Sequence, residues 1–561
     1  MRDRPKSKAT QRQARALLAG LFVTACWVAL GTQARAQDAE VIATARYAAA
    51  APDIADTSAN STPGGAPVIN PLAPEIPAAP TPNPAAPTAA VPGAPAANNP
   101  TPPPAPPPTA RAFTFTPSIG VEELFTDNAL LTQHNRQSDF ITRGILGLGV
   151  AVIGVRTQAT ATAQVSYDWY ARHDALSGLS VQAFGTGSYA LIPQTLVIEA
   201  AGTVTDGNVS SFGAPAIDRT GVAGRVLLAT YNVGPHLTIP LGDFADLDAI
   251  AHFDQVFYSA ADNSHVTALP TGSTIVQVGA QADTGKRFAN LESITAAAYQ
   301  SDNHGFYTVS GLESLFYALG PRLRLIGRAG YEEDVLPRLV NVNAPILSVG
   351  FEYALNDKSK ISLEGGERYN RAAWVANAYI QVSDRIYVTA DYQQVLEPDQ
   401  VAIANAFVGF VQLSGTLPTA LLTPNFTVNG NLLNQPSLDT TADGHFVYTL
   451  PDQTFDVFVS WRDRDFLNTT GHDRELIGQA TYSRTLRPDL TGRFGVGYYR
   501  TYASPVFGAS EVYNATLQFA YKVNSTVDLT GGYAFDHQEQ LTAPRLTIYE
   551  NIVFVALKKR F

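Results

Sequence analysis

The chain has 561 residues, 45% of them hydrophobic and 16% charged, with a formal net charge of −11. That acidic balance argues against a nucleic-acid partner, and a single Cys excludes a disulfide framework. Apart from one N-terminal run, no stretch approaches the ~18 apolar residues of a spanning helix, so a helical membrane protein is excluded.

Residues 2–15, "RDRPKSKATQRQAR", form a basic leader. The apolar "ALLAGLFVTACWVALG" follows, then "TQARAQ", with Ala34 and Ala36 in a small-x-small cleavage pattern. The run is shorter than the ~20 residues of a spanning helix, so residues 1–36 are expected to be a secretory signal peptide. Its removal takes away Met1 and Cys26, the only Met and Cys, together with seven cations and one anion, and shifts the net charge from −11 to −17.

Residues 37–112 include "PTPNPAAPTAAVPGAPAANNPTPPPAPPPT". Proline fixes φ and lacks an N–H, and Ala and Pro offer little apolar surface to bury. The composition predicts a disordered, extended periplasmic spacer.

From Phe113 onward a period of two takes over. "VYNATLQFAYKV" sets Tyr513, Ala515, Leu517, Phe519 and Tyr521 against Asn514, Thr516, Gln518 and Lys522. "LTGRFGVGYY", "VDLTGGYAFD" and "RLRLIGRAGYEED" do the same. Tight polar turns ("ALGPRL", "ALNDKS", "LPDQT", "LRPDL") alternate with longer polar connections such as "YEEDVLPRLVNVNAP", "RDRDFLNTTGHDRE" and "FDHQEQLTAPR". Long alternating strands with short turns at one end and long loops at the other predict an all-β protein, an antiparallel transmembrane β-barrel over residues 113–561. A body of this length holds roughly 16 to 22 strands, with about 22 the best count, since bacterial barrels take even numbers. Tyr498, Tyr513, Tyr521, Tyr533 and Trp461 fit interfacial girdles. A soluble β-sandwich also alternates, but its strands are usually shorter.

The C-terminal "IVFVALKKRF" places Phe561, Leu557, Val555 and Val553 on one face, as a closing strand requires. With that parity pointing outward, Arg324, Arg328 and Glu332 face inward on one strand. Glu364 and Arg368 do so on a second, followed by Asp391, Arg462, Arg464, Arg493, Lys522 and Asp528. These are the expected pore-lining residues. Charges of both signs can sort solutes or simply pair across the lumen.

One connection, residues 397–443, reads as a long loop. Its apolar content, as in "VAIANAFVGFVQL", predicts that it folds inward as a constriction or packs across the mouth. "DGH" at Asp443–His445 and "GHD" at Gly471–Asp473 are candidate loop-borne acid/base pairs. Solvated loop residues are the simpler reading, because no metal-ligand, P-loop or nucleophile-elbow motif accompanies them. No enzymatic activity and no cofactor are expected.

"FTPSIGVEELFTDNALLT", with "TDN" at Thr126–Asn128, and "SDFIT" at Ser138–Thr142 resemble the opening of the β-barrel porin 2 family. The resemblance implies a barrel of the Gram-negative outer membrane, in contact with lipid and lipopolysaccharide. The terminal Phe561 resembles the signal read by the barrel-insertion machinery. The function expected is a porin-like channel for small hydrophilic solutes. The alternative is an assembly component of the envelope or of an exopolysaccharide system, with the Pro-rich arm as its periplasmic contact.

Overall fold

A strand in lipid must give every backbone N–H and C=O a partner, and only closure of the sheet supplies one on both sides of every strand. The computed structural model closes in this way, as a single sheet of 22 antiparallel strands. It describes residues 112–561 except 209–224, 243, 261–271, 286–287, 289, 337–340, 399–400, 402–435, 468–471, 505–507 and 543–544. The expected leader and Pro/Ala segment lie outside the described residues, apart from Ala112, which opens the first strand.

The first strands are β1 (Ala112–Thr126), β2 (Asp139–Ile153), β3 (Thr157–Tyr170), β4 (Gly178–Ile192), β5 (Leu196–Asn208) and β6 (Arg225–Leu241). They continue as β7 (Ala245–Ala260), β8 (Ser273–Asp283), β9 (Leu291–Asp302), β10 (Tyr307–Ala318), β11 (Leu323–Val335) and β12 (Val342–Asn356). Next come β13 (Ser359–Arg368), β14 (Arg371–Ser383), β15 (Ile386–Pro398), β16 (Pro436–Leu450) and β17 (Gln453–Phe466). The last are β18 (His472–Arg487), β19 (Leu490–Ser504), β20 (Gly508–Lys522), β21 (Val527–Gln540) and β22 (Leu546–Arg560).

Each even strand up to β20 passes to the next through a short turn of two to seven residues, and β1 starts at that same rim. The other rim carries the longest connections, of 12 to 37 residues after β1, β5, β7 and β15, and several short ones. Tyr369 and Asn370 join β13 to β14 directly, with φ of 58° and 56°. That two-residue turn needs positive φ twice. The strained Tyr369 is buried against Leu396 and Leu438, and its hydroxyl accepts the Leu396 N–H at 3.2 Å.

Closure depends on the "TDN" triplet. Thr126 Oγ1 donates to Glu550 (2.8 Å), Asp127 accepts from the backbone and side-chain amides of Asn551 (2.8 and 2.7 Å), and Asn128 donates to the Tyr549 carbonyl (2.8 Å). Ser118 to Thr126 of β1 pair with Arg560 to Ile552 of β22. In "SDFIT", Asp139 accepts the N–H groups of Phe140, Arg172 and His173, which fixes the start of β2 against the end of β3.

The structure corrects the expected loops. "YEED", "RDRDF" and "FDHQEQ" belong to strands, so β11, β17 and β21 run past the apolar band. The long connection ends at 435 rather than 443, because Pro436–Asp443 pair with β15 and Ser437–Asp443 also with β17. On that stretch the outward residues Thr440, Ala442 and Gly444 are small, so no apolar alternation marks the strand. The rest of the predicted constriction lies outside the described residues, apart from Glu397, Pro398 and the buried Val401.

Candidate functional site

Alternation divides the sheet into two unlike walls. The outward wall is apolar: Val349 is 73% exposed, Leu146 62% and Phe561 65%, with Leu557, Val555 and Val553 beside it on β22. Aromatic residues gather near both rims, with Phe140, Trp169, Tyr331 and Trp374 toward the long connections and Phe115, Tyr317 and Tyr353 toward the short turns. One carboxylate interrupts this wall at mid-height. Glu313 on β10 lies between Val309 and Leu315 on the outward face and accepts from Ser293 and from Thr295 Oγ1, the latter at 2.5 Å.

The inner wall is polar, and guanidinium–carboxylate groups run across it. On β1–β3, Arg143 Nε lies 2.5 Å from Asp168 Oδ1 and its Nη1 3.4 Å from Glu122 Oε2. On β11 and β13 two reciprocal pairs reach over the intervening β12. Arg328 binds Glu364 at 2.7 and 3.0 Å, and Arg368 binds Glu332 at 2.8 and 3.1 Å. Two parallel bonds per pair is the strong, planar form of this contact. β12 leaves room by presenting Gly350 there, since a Cβ at that position would come within 2.6 Å of Glu364 Cγ.

A third group lies on β16–β18. Arg462 binds Asp439, and Arg464 Nη2 reaches Glu475 (2.8 Å) and Asp473 (3.1 Å). Nearer the short turns, Arg324 Nη2 is 2.7 Å from Glu292 with its guanidinium over the Phe316 ring, and Arg560 Nη2 is 2.8 Å from Asp528. Outside the spanning segments, in the β14–β15 turn, a hydrogen bond from Lys358 holds the Asp384 carboxyl below its ordinary range.

The structure therefore places Arg324, Arg328 and Glu332 on β11, Glu364 and Arg368 on β13, and Asp391 on β15, all on the inner wall. Arg462 and Arg464 on β17, Arg493 on β19, Lys522 on β20 and Asp528 on β21 share it. Lys522 stands opposite Asp528, which in turn stands opposite Lys558. Sequence reasoning missed Glu122, Arg143, Asp168, Asp439 and Glu475, although the parity that found the others also applies to these. His445 is not in a loop: it is on the inner face of β16 with Nε2 3.1 Å from Asp456. Among the described residues no group of three His, Cys, Asp or Glu side chains is arranged to hold a metal ion.

An apolar outer wall, aromatic rims and a charged interior in one closed sheet define a transmembrane β-barrel. No protein-family model matches the chain, and no curated protein does. Solved structures similar to it include the siderophore receptor PirA from Acinetobacter baumannii (TM-score 0.46, 8% identity, covering 80% of each chain). A mutant of the ferric enterobactin receptor PfeA from Pseudomonas aeruginosa follows (0.43, 10%, 80% of each chain). Acinetobacter baumannii OccAB4 is also similar (0.34, 10%, 81% of this chain and 100% of that one). The likeness is one of overall architecture.

Proposed function

We propose that the protein is an outer-membrane channel of a Gram-negative cell that passes small hydrophilic solutes, of the β-barrel porin 2 kind that "TDN" and "SDFIT" resemble. The observation that carries the reading is the contrast between the walls: lipid-compatible outside, ionic and polar inside. An interior lined with both signs of charge favours water and hydrated solutes over apolar ones, and a barrel of 22 strands is wide. The inner-wall residues from Arg324 to Asp528 act as the pore lining. Short turns face the periplasm in bacterial barrels, so β1 starting at that rim supports a periplasmic position for residues 37–112 after cleavage of the leader at Ala36. Outward cations at the opposite rim, such as Arg136, Arg474 and Arg500, suit contact with lipopolysaccharide.

Reconstitution of the purified barrel in a planar bilayer tests this. Stable conductance steps are expected. A folded barrel that stays silent would remove the channel reading and favour the assembly reading, with the Pro/Ala arm engaging a partner.

A further inference from the structure

The polar inner wall also carries an aromatic patch. On β14–β17, toward the short turns, four rings follow one another from strand to strand. Tyr379 and Tyr387 are stacked, with centroids 6.5 Å apart and planes 22° from parallel. His445 stands edge-on to the ring on either side, 5.9 Å from Tyr387 at 78° and 6.4 Å from Phe458 at 69°. Register places all four on the face of Asp391 and Arg462: Tyr379 lies opposite Thr389, Thr389 opposite His445, and His445 opposite Phe458, with Tyr387 two residues from Thr389. His445 is buried between its neighbours with Nε2 3.1 Å from Asp456, and the other three rings are half-buried.

The next inward residues on the same four strands are polar. Asn377 stands opposite Asp391, Asp391 opposite Asp443, and Asp443 opposite Ser460. An amide, two carboxylates and a hydroxyl thus form a second row beside the rings, on the side of the long connections and about 7 Å away, two residues along each strand. Four strands at about 4.8 Å spacing make both rows roughly 14 Å long.

An aromatic face is electron-rich and attracts polarised C–H bonds, whereas carboxylate and amide oxygens accept hydrogen bonds from hydroxyl groups. A hydrated ion gains little from the rings, and an apolar solute gains nothing from the acceptors. A sugar ring presents both a face of C–H bonds and a rim of hydroxyls. We infer that this patch is a subsite for neutral saccharides on the wall of the channel. The rings of Tyr379, Tyr387 and Phe458 take the C–H faces, and the row from Asn377 to Ser460 takes the hydroxyls. The inference rests on the channel reading and names its solute class. Aromatic surface with a few placed polar groups is the usual make-up of a small-molecule site, and the length of the rows suits a short oligosaccharide.

The test is the ion current of the reconstituted full chain as maltotriose or cellotriose is added, with triethylene glycol as an uncharged solute that has no sugar ring. At least one of the two sugars should interrupt the current saturably, with half-blockage at millimolar concentration, and triethylene glycol should not. Tyr379→Leu with Phe458→Leu keeps apolar bulk but removes two ring faces, and should raise the half-blocking concentration about tenfold. Tyr379→Phe, which keeps the face, should stay close to wild type. Heat-modifiable gel migration, measured on each variant, establishes that only folded barrels are compared. A conducting wild type blocked by neither sugar, or a folded double Leu variant blocked as readily as wild type, would overturn the inference and leave the channel reading standing. A folded wild type without conductance would overturn the channel reading. Titration calorimetry of the detergent-folded barrel with the same sugars then decides the subsite by itself: heat of binding that the double Leu variant loses is expected, and its absence in the wild type would overturn the subsite too.

Discussion

Arg368 and Glu332 meet across a strand to which neither belongs: β12 passes between them, and both guanidinium–carboxylate bonds form above it. Arg328 and Glu364 make the same crossing in the opposite sense, so three consecutive strands are cross-tied twice on the inner face.

Removing one member of such a buried pair strands the other charge, at a cost of about 3–5 kcal/mol. Arg368→Met should therefore lower the temperature at which the barrel unfolds in a heat-modifiability gel. Adding Glu332→Leu should recover most of that loss, because no lone charge then remains. A double variant as unstable as the single one would show that the pair organises the wall in some further way.

Phe561 directly follows β22, in line with its outward residues, its N–H donating to the Pro117 carbonyl at 3.0 Å and its ring beneath Lys559. Phe561→Asp places a charge in the lipid-facing row with Leu557 and Val555. We expect a lowered amount of protein in the outer membrane, with single-channel conductance unchanged in whatever inserts. Normal membrane levels would separate Phe561 from assembly.

Glu313 is an outward carboxylate well away from both ends of its strand, among apolar side chains. Replacing it with Leu while changing Ser293→Ala and Thr295→Val removes the charge and the hydroxyls that satisfy it. Charged residues on the lipid face cost most at mid-depth, up to ~2–4 kcal/mol for Arg or Lys and less for Glu. The triple variant should unfold at a higher temperature than wild type with its ion preference unaltered.

Residues 37–112 offer little apolar surface for a core. A chain joining the leader directly to residue 111 should still insert and show heat-modifiable migration, since β1 begins at Ala112. Loss of that migration would make the arm part of the fold.

The barrel was legible in the sequence where apolar and polar residues alternate strongly, as in Val553, Val555, Leu557 and Phe561. It was least legible where strands leave the apolar band. Glu332, Glu333 and Asp334 read both as the end of an alternating strand and as the start of a polar connection because both faces turn polar there, although the backbone remains paired with β10 and β12. Asp443 read as loop because its outward neighbours Ala442 and Gly444 carry almost no apolar surface. Parity placed Arg328 and Glu364 on one wall but not together. Their meeting depends on β12 leaving the space of a missing Cβ at Gly350, a property of three strands rather than of any one.

The seam between β1 and β22 ties positions 424 residues apart, Asp127 to Asn551. During synthesis, β1 leaves the ribosome with its outer edge unmatched and waits for the last of these strands. A message cut short, or a chain clipped within β22, yields a sheet whose first edge has no neighbour. In lipid each unmatched backbone group is costly, so such a product cannot settle in the membrane. The seam thus acts as a proof of full length, read by the bilayer itself.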